Sequence, residues 1–393
     1  MTMIQLRNLS RAGAKGMPPL LDSISLAVPS GSSLAIVGPR NSGKSLLLRT
    51  IVGLEYPSDG EILMDGALVN AVDPRDRDIA MVFQDYEIYP HLNVFDNIAF
   101  SATLRKGFDK TALSDRVYEV AEILGLGDLL EDGAKPKDLD ESERQKVALA
   151  RVLVRDASAY LFDDALSAHD DRTRSQIRSL TLQWQREQER TSIYVTSDVA
   201  EALSLGDQVA VMHQGYLHQV GTPRDLYEHP ANLFVAAFVG APAMNLIPAK
   251  LRGNSLQLPF LTLPLDEAMQ QRTQGRELLV VGIRPEDCED AAGLTEEQLR
   301  GKIVFSTKID EIEWRGRSQY AYLGFDIDES TEILLEEVER QLEFDLFQAF
   351  LLAEISAESD VRAGMFLKVA VDSQKIHVFD PATGENLTIP GSH

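Results

Sequence analysis

The sequence predicts two domains, an α/β domain with an inserted helical subdomain and then an all-β domain of small, OB-like barrels. Residues 1–235 alternate apolar runs such as "SLAIVG" and "TSIYVTS" with helical stretches, which is typical of a largely parallel sheet. Between about 88 and 156 only helix-like segments occur. Residues 243–393 contain mainly short alternating runs such as "FLKVAVD", which indicate barrels.

Composition excludes some classes of function. The 393 residues carry a formal charge of −23, from 38 basic and 61 acidic side chains, which argues against nucleic acid as a partner. The single cysteine, Cys288, fits a reducing compartment. The first residues, "MTMIQLRNLS", do not have the pattern of a secretion signal. The uncharged run 230–249 contains prolines, so we expect a packed helix at "NLFVAAFVG" and no membrane span.

A phosphate-binding loop is predicted at "GPRNSGKS", Gly38 to Ser45, between the strand "SLAIV" and the helix "SLLLRTIVGL". In such a loop, backbone N–H groups and a helix N-terminus meet phosphates. Lys44 is expected to reach the outer phosphates, and the Ser45 hydroxyl can bind Mg²⁺. The alternative, a glycine-rich turn with an incidental lysine, is disfavoured by the strand and helix on either side.

A second apolar strand, "AYLFDD", ends in Asp163 and Asp164. An acid pair of this kind suits a metal-directed carboxylate followed by one near an attacking water. Acid pairs are also common at solvent-facing sheet edges, so this pattern gains its meaning from the phosphate loop upstream.

With these motifs, the chain resembles the ATPase subunits of ATP-binding-cassette (ABC) importers for sugars and polyols, of the maltose type. The resemblance extends to "MVFQDYEIYPHLNVFDNIAF" with Gln84, to "ERQKVALARVLVRDASAYLFDDALSAHD" and, in the C-terminal part, to "GIRPED". It implies a P-loop ATPase domain followed by a regulatory barrel domain, with ATP and Mg²⁺ as cofactors. It also implies ATP held between one subunit's phosphate loop and the other's signature loop, and a place on the cytoplasmic face of the inner membrane. The implied partners are membrane permease subunits and, indirectly, an extracytoplasmic solute-binding protein.

The stretch "KDLDESERQKVALAR" departs from that family. Where relatives have a Leu-Ser-Gly-Gly-Gln signature that holds the γ-phosphate of the opposing ATP, this chain has Leu139 and then Asp140, Glu141, Ser142 and Glu143. A purely structural interpretation is that Asp140 is a helix N-cap and that Glu143 completes a capping box. The two interpretations are compatible, because such a cap would place carboxylates where a phosphate should bind.

Other family positions are altered as well. Asp164 replaces the catalytic glutamate and Ser197 the switch histidine, so hydrolysis is expected to be slow. Asn41 stands in place of a glycine, and Leu46 in place of a Thr or Ser. No aromatic residue precedes Tyr56, so the usual stacking partner for adenine is absent.

The predicted site has four parts. The catalytic positions, both degenerate, are Asp164 and Ser197. The nucleotide-binding residues are Gly38, Asn41, Ser42, Gly43, Lys44, Ser45 and Gln84. The signature loop is Asp140, Glu141, Ser142 and Glu143, and the metal ligands are Ser45, Gln84 and Asp163.

These departures favour a nucleotide-binding importer subunit that is catalytically impaired and is paired with a second, different ATPase subunit. Two alternatives remain open at this point. One is a functional homodimeric importer ATPase with Asp164 as base, and the other is a nucleotide-binding scaffold or regulatory protein without a transport role. The segment "TEILLEEVERQLEFDLFQAFLLAEIS" also stays open between helix and strand, because both periodicities occur in it.

Overall fold

The computed structural model describes residues 2–83, 88–103, 109–165 and 171–389. The chain divides into two compact units, Met1–Pro223 and Arg224–His393. Each unit has hydrophobic core residues of its own. The predicted domain limits, 1–235 and 243–393, remain a prediction.

The first unit contains ten strands among its described residues. They are β1 Ile4–Arg11, β2 Leu21–Val28, β3 Ser33–Val37, β4 Asp59–Met64, β5 Ala67–Leu68, β6 Ile79–Val82, β7 Ala159–Asp163, β8 Thr191–Thr196, β9 Gln208–His213 and β10 Tyr216–Gly221. The order β2-β1-β4-β5 forms an antiparallel sheet, and β10-β9-β3-β8-β7-β6 forms a sheet in which only the β10 and β9 pair is antiparallel. Strands β3, β7 and β8 are buried along their whole length, which explains their nearly continuous apolar sequences.

Among its described residues, the first unit contains seven α-helices. They are α1 Lys44–Val52, α2 Val94–Thr103, α3 Lys110–Ile123, α4 Gly127–Glu131, α5 Glu141–Leu153, α6 Asp171–Gln188 and α7 Val199–Leu205. Helices α2 to α5 follow one another, with no strand among the described residues between them, as the helix-like segments predicted.

The second unit is antiparallel throughout its described strands. They are β11 Asn245–Arg252, β12 Ser255–Gln257, β13 Thr262–Pro264, β14 Leu278–Ile283, β15 Glu289–Asp290, β16 Lys302–Lys308, β17 Glu311–Trp314, β18 Ser318–Gly324, β19 Phe350–Ser356, β20 Phe366–Asp372 and β21 His377–Phe379. Three sheets result, with the orders β13-β12-β11-β14-β21, β15-β20-β16 and β17-β18-β19. The predicted fold class, an α/β domain followed by an all-β domain, is confirmed.

Four further α-helices occur in the described part of the chain: α8 Pro223–Glu228, α9 Leu233–Phe238, α10 Glu267–Thr273 and α11 Glu329–Leu342. Helix α9 is the helix expected at "NLFVAAFVG". None of the helices in the described part of the chain is long and apolar enough to cross a membrane. The segment left open by the sequence forms both elements in turn, because α11 ends at Leu342 and β19 begins at Phe350.

Candidate nucleotide-binding site

The topology of the larger sheet places part of the predicted site at one edge. Strands β3, β8 and β7 are adjacent and parallel, so their carboxyl ends lie side by side. Gly38 follows β3, Asp163 ends β7, and Ser197 follows β8. The carboxyl edge of a parallel sheet is the usual place of ligand binding in α/β proteins.

The phosphate loop leads into α1 with its backbone exposed to a ligand. Gly43 occupies the N-cap position with φ 96°, and no side chain of the described residues caps the first N–H groups. The first turn carries no acidic residue. Uncapped N–H groups and the positive end of the helix dipole make this terminus an anion site. Asn41 has φ 63°, a conformation that asparagine tolerates better than most residues, so the loop keeps its turn without a glycine there.

Lys44 folds back onto its own loop. Its Nζ donates hydrogen bonds to the carbonyl oxygens of Gly38 at 2.8 Å and Pro39 at 2.6 Å, and lies 3.2 Å from Ser42 Oγ. Burial lowers the pKa of Lys44 to about 8, and the neighbouring carboxylates of Asp164 and Asp163 oppose that shift. The ammonium group thus lies beside the loop with neutral acceptors that a phosphate group could replace.

Ser45 and Asp163, two of the predicted metal ligands, lie within hydrogen-bond distance of each other. The hydroxyl of Ser45 donates to Asp163 Oδ1 at 2.6 Å, and Asp163 is buried. A hydroxyl and a single carboxylate beside a phosphate loop fit Mg²⁺, which binds few protein oxygens and relies on substrate phosphates and water. No cluster of three metal-binding side chains occurs elsewhere in the described residues. Gln84, the third predicted ligand, lies outside the described residues.

The two positions predicted to be catalytic, Asp164 and Ser197, follow the ends of the neighbouring strands β7 and β8. The backbone N–H of Asp164 donates to the carbonyl oxygen of Val195 at 2.9 Å, which fixes the end of β7 against β8. Asp164 has φ 50°, in the left-handed region where aspartate is enriched. Ser197 is exposed directly after β8. The structure therefore brings Asp164 near the strand end that carries Ser197.

Helix α5 begins with the predicted capping box. Asp140 Oδ1 accepts a hydrogen bond from the backbone N–H of Glu143 at 2.8 Å, and Glu143 Oε2 accepts from the N–H of Asp140 at 2.9 Å. Glu141 adds a third acid to this end of the helix. The chain's own carboxylates therefore occupy N–H groups at this terminus, and their charge opposes an incoming phosphate.

Comparison with known proteins decides the family. The ABC transporter family model matches residues 21–167, and the MalK OB fold domain model matches residues 240–288. The trehalose import ATP-binding protein SugC of Mycobacterium tuberculosis is 40% identical over 394 residues, covering 99% of both chains. The chain belongs to the ABC transporter family. Within that family it is an ATP-binding subunit with a MalK-type OB-fold domain.

Other members give the same picture. The oligosaccharides import ATP-binding protein MsmX of Bacillus subtilis is 38% identical, covering 93% of this ABC subunit and 94% of the relative. A solved dimeric ATP-binding cassette with bound ADP and Pi superimposes with a TM-score of 0.50 at 26% identity, covering 56% of this chain and 98% of that one. These matches confirm the resemblance predicted from the motifs.

Glu201 is a residue of this ABC subunit that the sequence analysis missed. It is only 2% exposed, its backbone N–H is capped by Asp198 Oδ1, and its carboxylate Oε2 accepts from the Thr196 hydroxyl. Burial raises the pKa of Glu201, and the carboxylates of Asp198 and Asp164 add to the rise. An acid four residues after Ser197, on the first turn of a helix at the sheet edge, was the available clue.

Two further side chains position the site in this ABC subunit. Gln145 of α5 is buried, and its Nε2 donates to the carbonyl oxygen of Ala165 at 3.0 Å, which links α5 to the residue after Asp164. Arg77 donates to the carbonyl oxygens of Thr50 at 3.2 Å and Ile51 at 2.8 Å, and so satisfies the last turn of α1. Neither contact is visible in sequence spacing.

Proposed function

We propose that this chain is the ATP-binding subunit of a bacterial importer for a sugar or polyol. It works at the cytoplasmic face of the inner membrane as a peripheral subunit, bound to permease subunits that receive solute from an extracytoplasmic binding protein. The names of its relatives, which import trehalose, oligosaccharides and sn-glycerol-3-phosphate, support this class of solute. Its ABC domain spans residues 1–235 and its barrel domain residues 243–393.

We further propose that the subunit binds Mg-ATP but hydrolyses it slowly. The phosphate loop and Lys44 hold the nucleotide's phosphates, and Ser45, Gln84 and Asp163 hold Mg²⁺, which neutralises phosphate charge when bound. Asp164 faces the attacking water with a side chain one methylene shorter than glutamate. A misplacement of roughly 1 Å can cost on the order of 10²-fold in rate. Ser197 donates a hydrogen bond at its position but carries no charge.

The observation that carries the proposal is the acidic capping box at α5. In a head-to-tail dimer, the ATP bound by one subunit's phosphate loop meets the other subunit's signature loop. Asp140 and Glu143 present carboxylates at that place. Two copies of this chain would therefore have two damaged composite sites. In a complex with a different ATPase subunit, the partner's phosphate loop would face the acidic box of this chain, so even a partner with intact catalytic residues would hydrolyse ATP slowly.

The first test is native mass spectrometry of the membrane complex captured through a tag on this chain. We expect two distinct ATPase subunits in the complex. The second test is ATP hydrolysis by the purified chain, with Lys44→Ala as the inactive reference. Several turnovers per second that disappear in Lys44→Ala would disprove impaired catalysis, since ordinary enzymes turn over at roughly 1 to 10³ per second.

A functional homodimer is the second candidate, and two ordered contacts favour it, that of Lys44 with the Gly38 carbonyl oxygen and that of Ser45 with Asp163. It predicts a single ATPase species in the captured complex. It also predicts that Asp164→Asn abolishes solute uptake, because Asp164 would then be the only base. A complex with two different ATPases whose uptake survives Asp164→Asn excludes it.

A further inference from the structure

A cavity of about 390 Å³ lies within the second unit, at the base of β11, β18 and β19. Its lining includes the aromatic rings of Tyr322, Phe344 and Phe350 and the polar side chains of Asn245, Asp345 and Gln348. The volume is within the range of roughly 300–1,000 Å³ that small-molecule sites occupy. Apolar walls with a few convergent polar groups are the usual composition of such sites.

The floor of the cavity is fixed by Asn245, which is buried. Its Nδ2 donates to the carbonyl oxygens of Ile283 at 3.0 Å and Leu352 at 2.9 Å, and its Oδ1 accepts from the N–H of Leu352 at 2.7 Å. These bonds join β11 to β19 outside the sheet ladder. The strands that carry the lining residues are thereby held at a set distance.

The loop between α11 and β19 supplies Asp345, Leu346 and Gln348 to the lining, and hydrogen bonds hold this loop as well. Glu339 Oε1 accepts hydrogen bonds from the backbone N–H groups of Leu346 and Phe347, each at 2.7 Å. Phe344 packs edge-on against Phe234 with 5.2 Å between ring centroids. The loop is therefore ordered before any ligand arrives, which reduces the entropic cost of binding.

The polar groups of the cavity select a class of ligand. Asp345 and Gln348 are exposed, and within the described ranges their side chains have no hydrogen-bond partner. A carboxylate accepts two hydrogen bonds and an amide both donates and accepts, which matches neighbouring hydroxyl groups. No Lys, Arg or His is among the lining residues, so a phosphorylated or carboxylated ligand would find no counter-charge.

The aromatic walls suit the apolar face of the same kind of molecule. Tyr322 and Phe350 meet nearly edge to face, with 5.2 Å between centroids and 63° between planes. The Tyr322 hydroxyl donates to Glu313 Oε2 at 3.1 Å, which anchors that ring. Sugar rings present C–H groups on their faces and hydroxyls at their edges, and aromatic faces with polar groups beside them complement both.

We propose that this cavity binds a neutral sugar or polyol of one or two rings in size. The Asp345 carboxylate and the Gln348 amide bind its hydroxyls, while the aromatic rings pack against its carbon skeleton. The proposal deepens the proposed function, because a cytoplasmic site for the class of imported solute would report on its accumulation. Binding itself depends only on the second unit and does not require ATP hydrolysis or a partner subunit.

The test is isothermal titration calorimetry on the purified full chain without nucleotide. The probes are glucose, maltose, trehalose and sorbitol, with choline and glucose 6-phosphate as charged comparisons. Asp345→Asn and Gln348→Ala change exposed side chains, so the fold is retained. Asp326→Asn is the matched control, since Asp326 is an exposed aspartate of the same unit outside the cavity.

We expect at least one neutral probe to bind and each of the two cavity variants to weaken that binding about 10-fold, the usual effect of losing one hydrogen bond to a charged or well-placed group. The control should bind as the unsubstituted chain does. Tyr322→Phe should retain affinity within about twofold, because it keeps the ring, while Tyr322→Ala should lose binding.

Three results would overturn the inference. The first is that no neutral probe gives a heat of binding at about 50 mM, a concentration at which even a millimolar site is mostly filled. The second is that choline or glucose 6-phosphate binds more tightly than the neutral probes. The third is that Asp345→Asn and Gln348→Ala bind the neutral probe as tightly as the unsubstituted chain. None of these results bears on the number of ATPase subunits or on hydrolysis. Conversely, a homodimeric, active ATPase would leave the sugar titration unaffected, so the two proposals can fail separately.

Discussion

Two helix N-termini in the first unit differ in how their backbone N–H groups are satisfied. Helix α1 begins after Gly43 with no acid in its first turn, and no described side chain caps it. Helix α5 begins after Asp140 with a complete capping box and with Glu141 beside it. Both ends carry the same backbone donors and the same positive dipole. One leaves them to a ligand, whereas the other satisfies them with its own carboxylates.

The comparison shows that local stability and anion binding compete for the same N–H groups. A side-chain cap stabilises a helix by about 1 kcal/mol. A helix without a cap lacks this stabilisation unless a ligand binds its free N–H groups. The chain retains the uncapped arrangement where a nucleotide compensates for it. At α5 it gains the cap and, in our proposal, gives up the contact with the partner's nucleotide.

The largest effect should follow from removing the cation of the open helix end. Lys44→Ala should weaken ATP binding by about 100-fold, because hydrogen bonds from a charged donor to phosphate are lost. Fluorescent ATP-analogue titration measures this. Lys110→Ala, at an exposed position on α3, is the control and should bind normally. Equal affinity in Lys44→Ala would mean that the phosphate loop is not the nucleotide site.

The second test removes the acidic capping box from the N-terminus of α5. Asp140→Ser, Glu141→Gly, Ser142→Gly and Glu143→Gln together should raise ATP hydrolysis by the captured transporter about 30-fold, since like charge near phosphate costs a few kcal/mol. The control is Glu131→Gln, which neutralises an exposed acid of α4 and should have no effect on the rate. An unaltered rate in the fourfold variant would separate the capping box from catalysis.

The pH dependence of binding tests the charge state of Lys44. Its pKa is lowered to about 8, so the charged form that phosphate requires is lost above that pH. ATP affinity should fall about 10-fold between about pH 7.5 and pH 9, one pH unit above that pKa. Lys44→Ala should abolish this dependence. Without nucleotide, the contribution of Lys44 to the free energy of unfolding should rise as the pH increases from about 8, the pKa of Lys44 in the folded chain, to 10.5, its ordinary pKa. The reason is that in this pH range the unfolded chain binds the proton of Lys44 more tightly than the folded chain does.

The smallest effect concerns the cap alone. Asp140→Ala should lower the free energy of unfolding by about 1 kcal/mol, because the N–H of Glu143 loses its acceptor. Urea unfolding followed by circular dichroism measures this, with Glu131→Ala as a surface control expected to stay within about 0.5 kcal/mol. A stability loss no larger than in the control would show that the box contributes little and that its carboxylates are held for another reason.

Local patterns in the sequence predicted much of this. The phosphate loop and the capping box depend on contacts within a few residues, so spacing alone identifies Lys44, Ser45, Asp140 and Glu143. Contacts across the sheet could not be predicted in this way. Gln145 reaches Ala165, and Arg77 reaches the end of α1, only after the strands have been ordered. Glu201 was missed because its burial depends on how α7 packs.

The segment from Glu329 to Ser356 shows a different limit. Leu335, Val338 and Leu342 pack as one face of α11 in the core that also contains Phe344 and Leu346. Residues after the helix alternate as in a strand, but Glu339 binds two of their N–H groups and holds them in a loop. The hydrogen bond from the backbone N–H of Leu346 to Glu339, seven residues earlier, therefore keeps this part of the segment out of the strand, which periodicity alone could not predict.

The phosphate loop also shows which positions of a nucleotide site can change in sequence without loss of the fold. A Cβ atom on Gly38 would lie 1.9 Å from the carbonyl oxygen of Met212 in β9, so replacing this glycine would push the loop off the sheet. Asn41 needs only a left-handed backbone, which a polar side chain can adopt. An ABC subunit can thus accumulate changes at Asn41, Ser197 and the α5 terminus while its fold is retained, and loss of catalysis need not be accompanied by loss of the protein as an assembly partner.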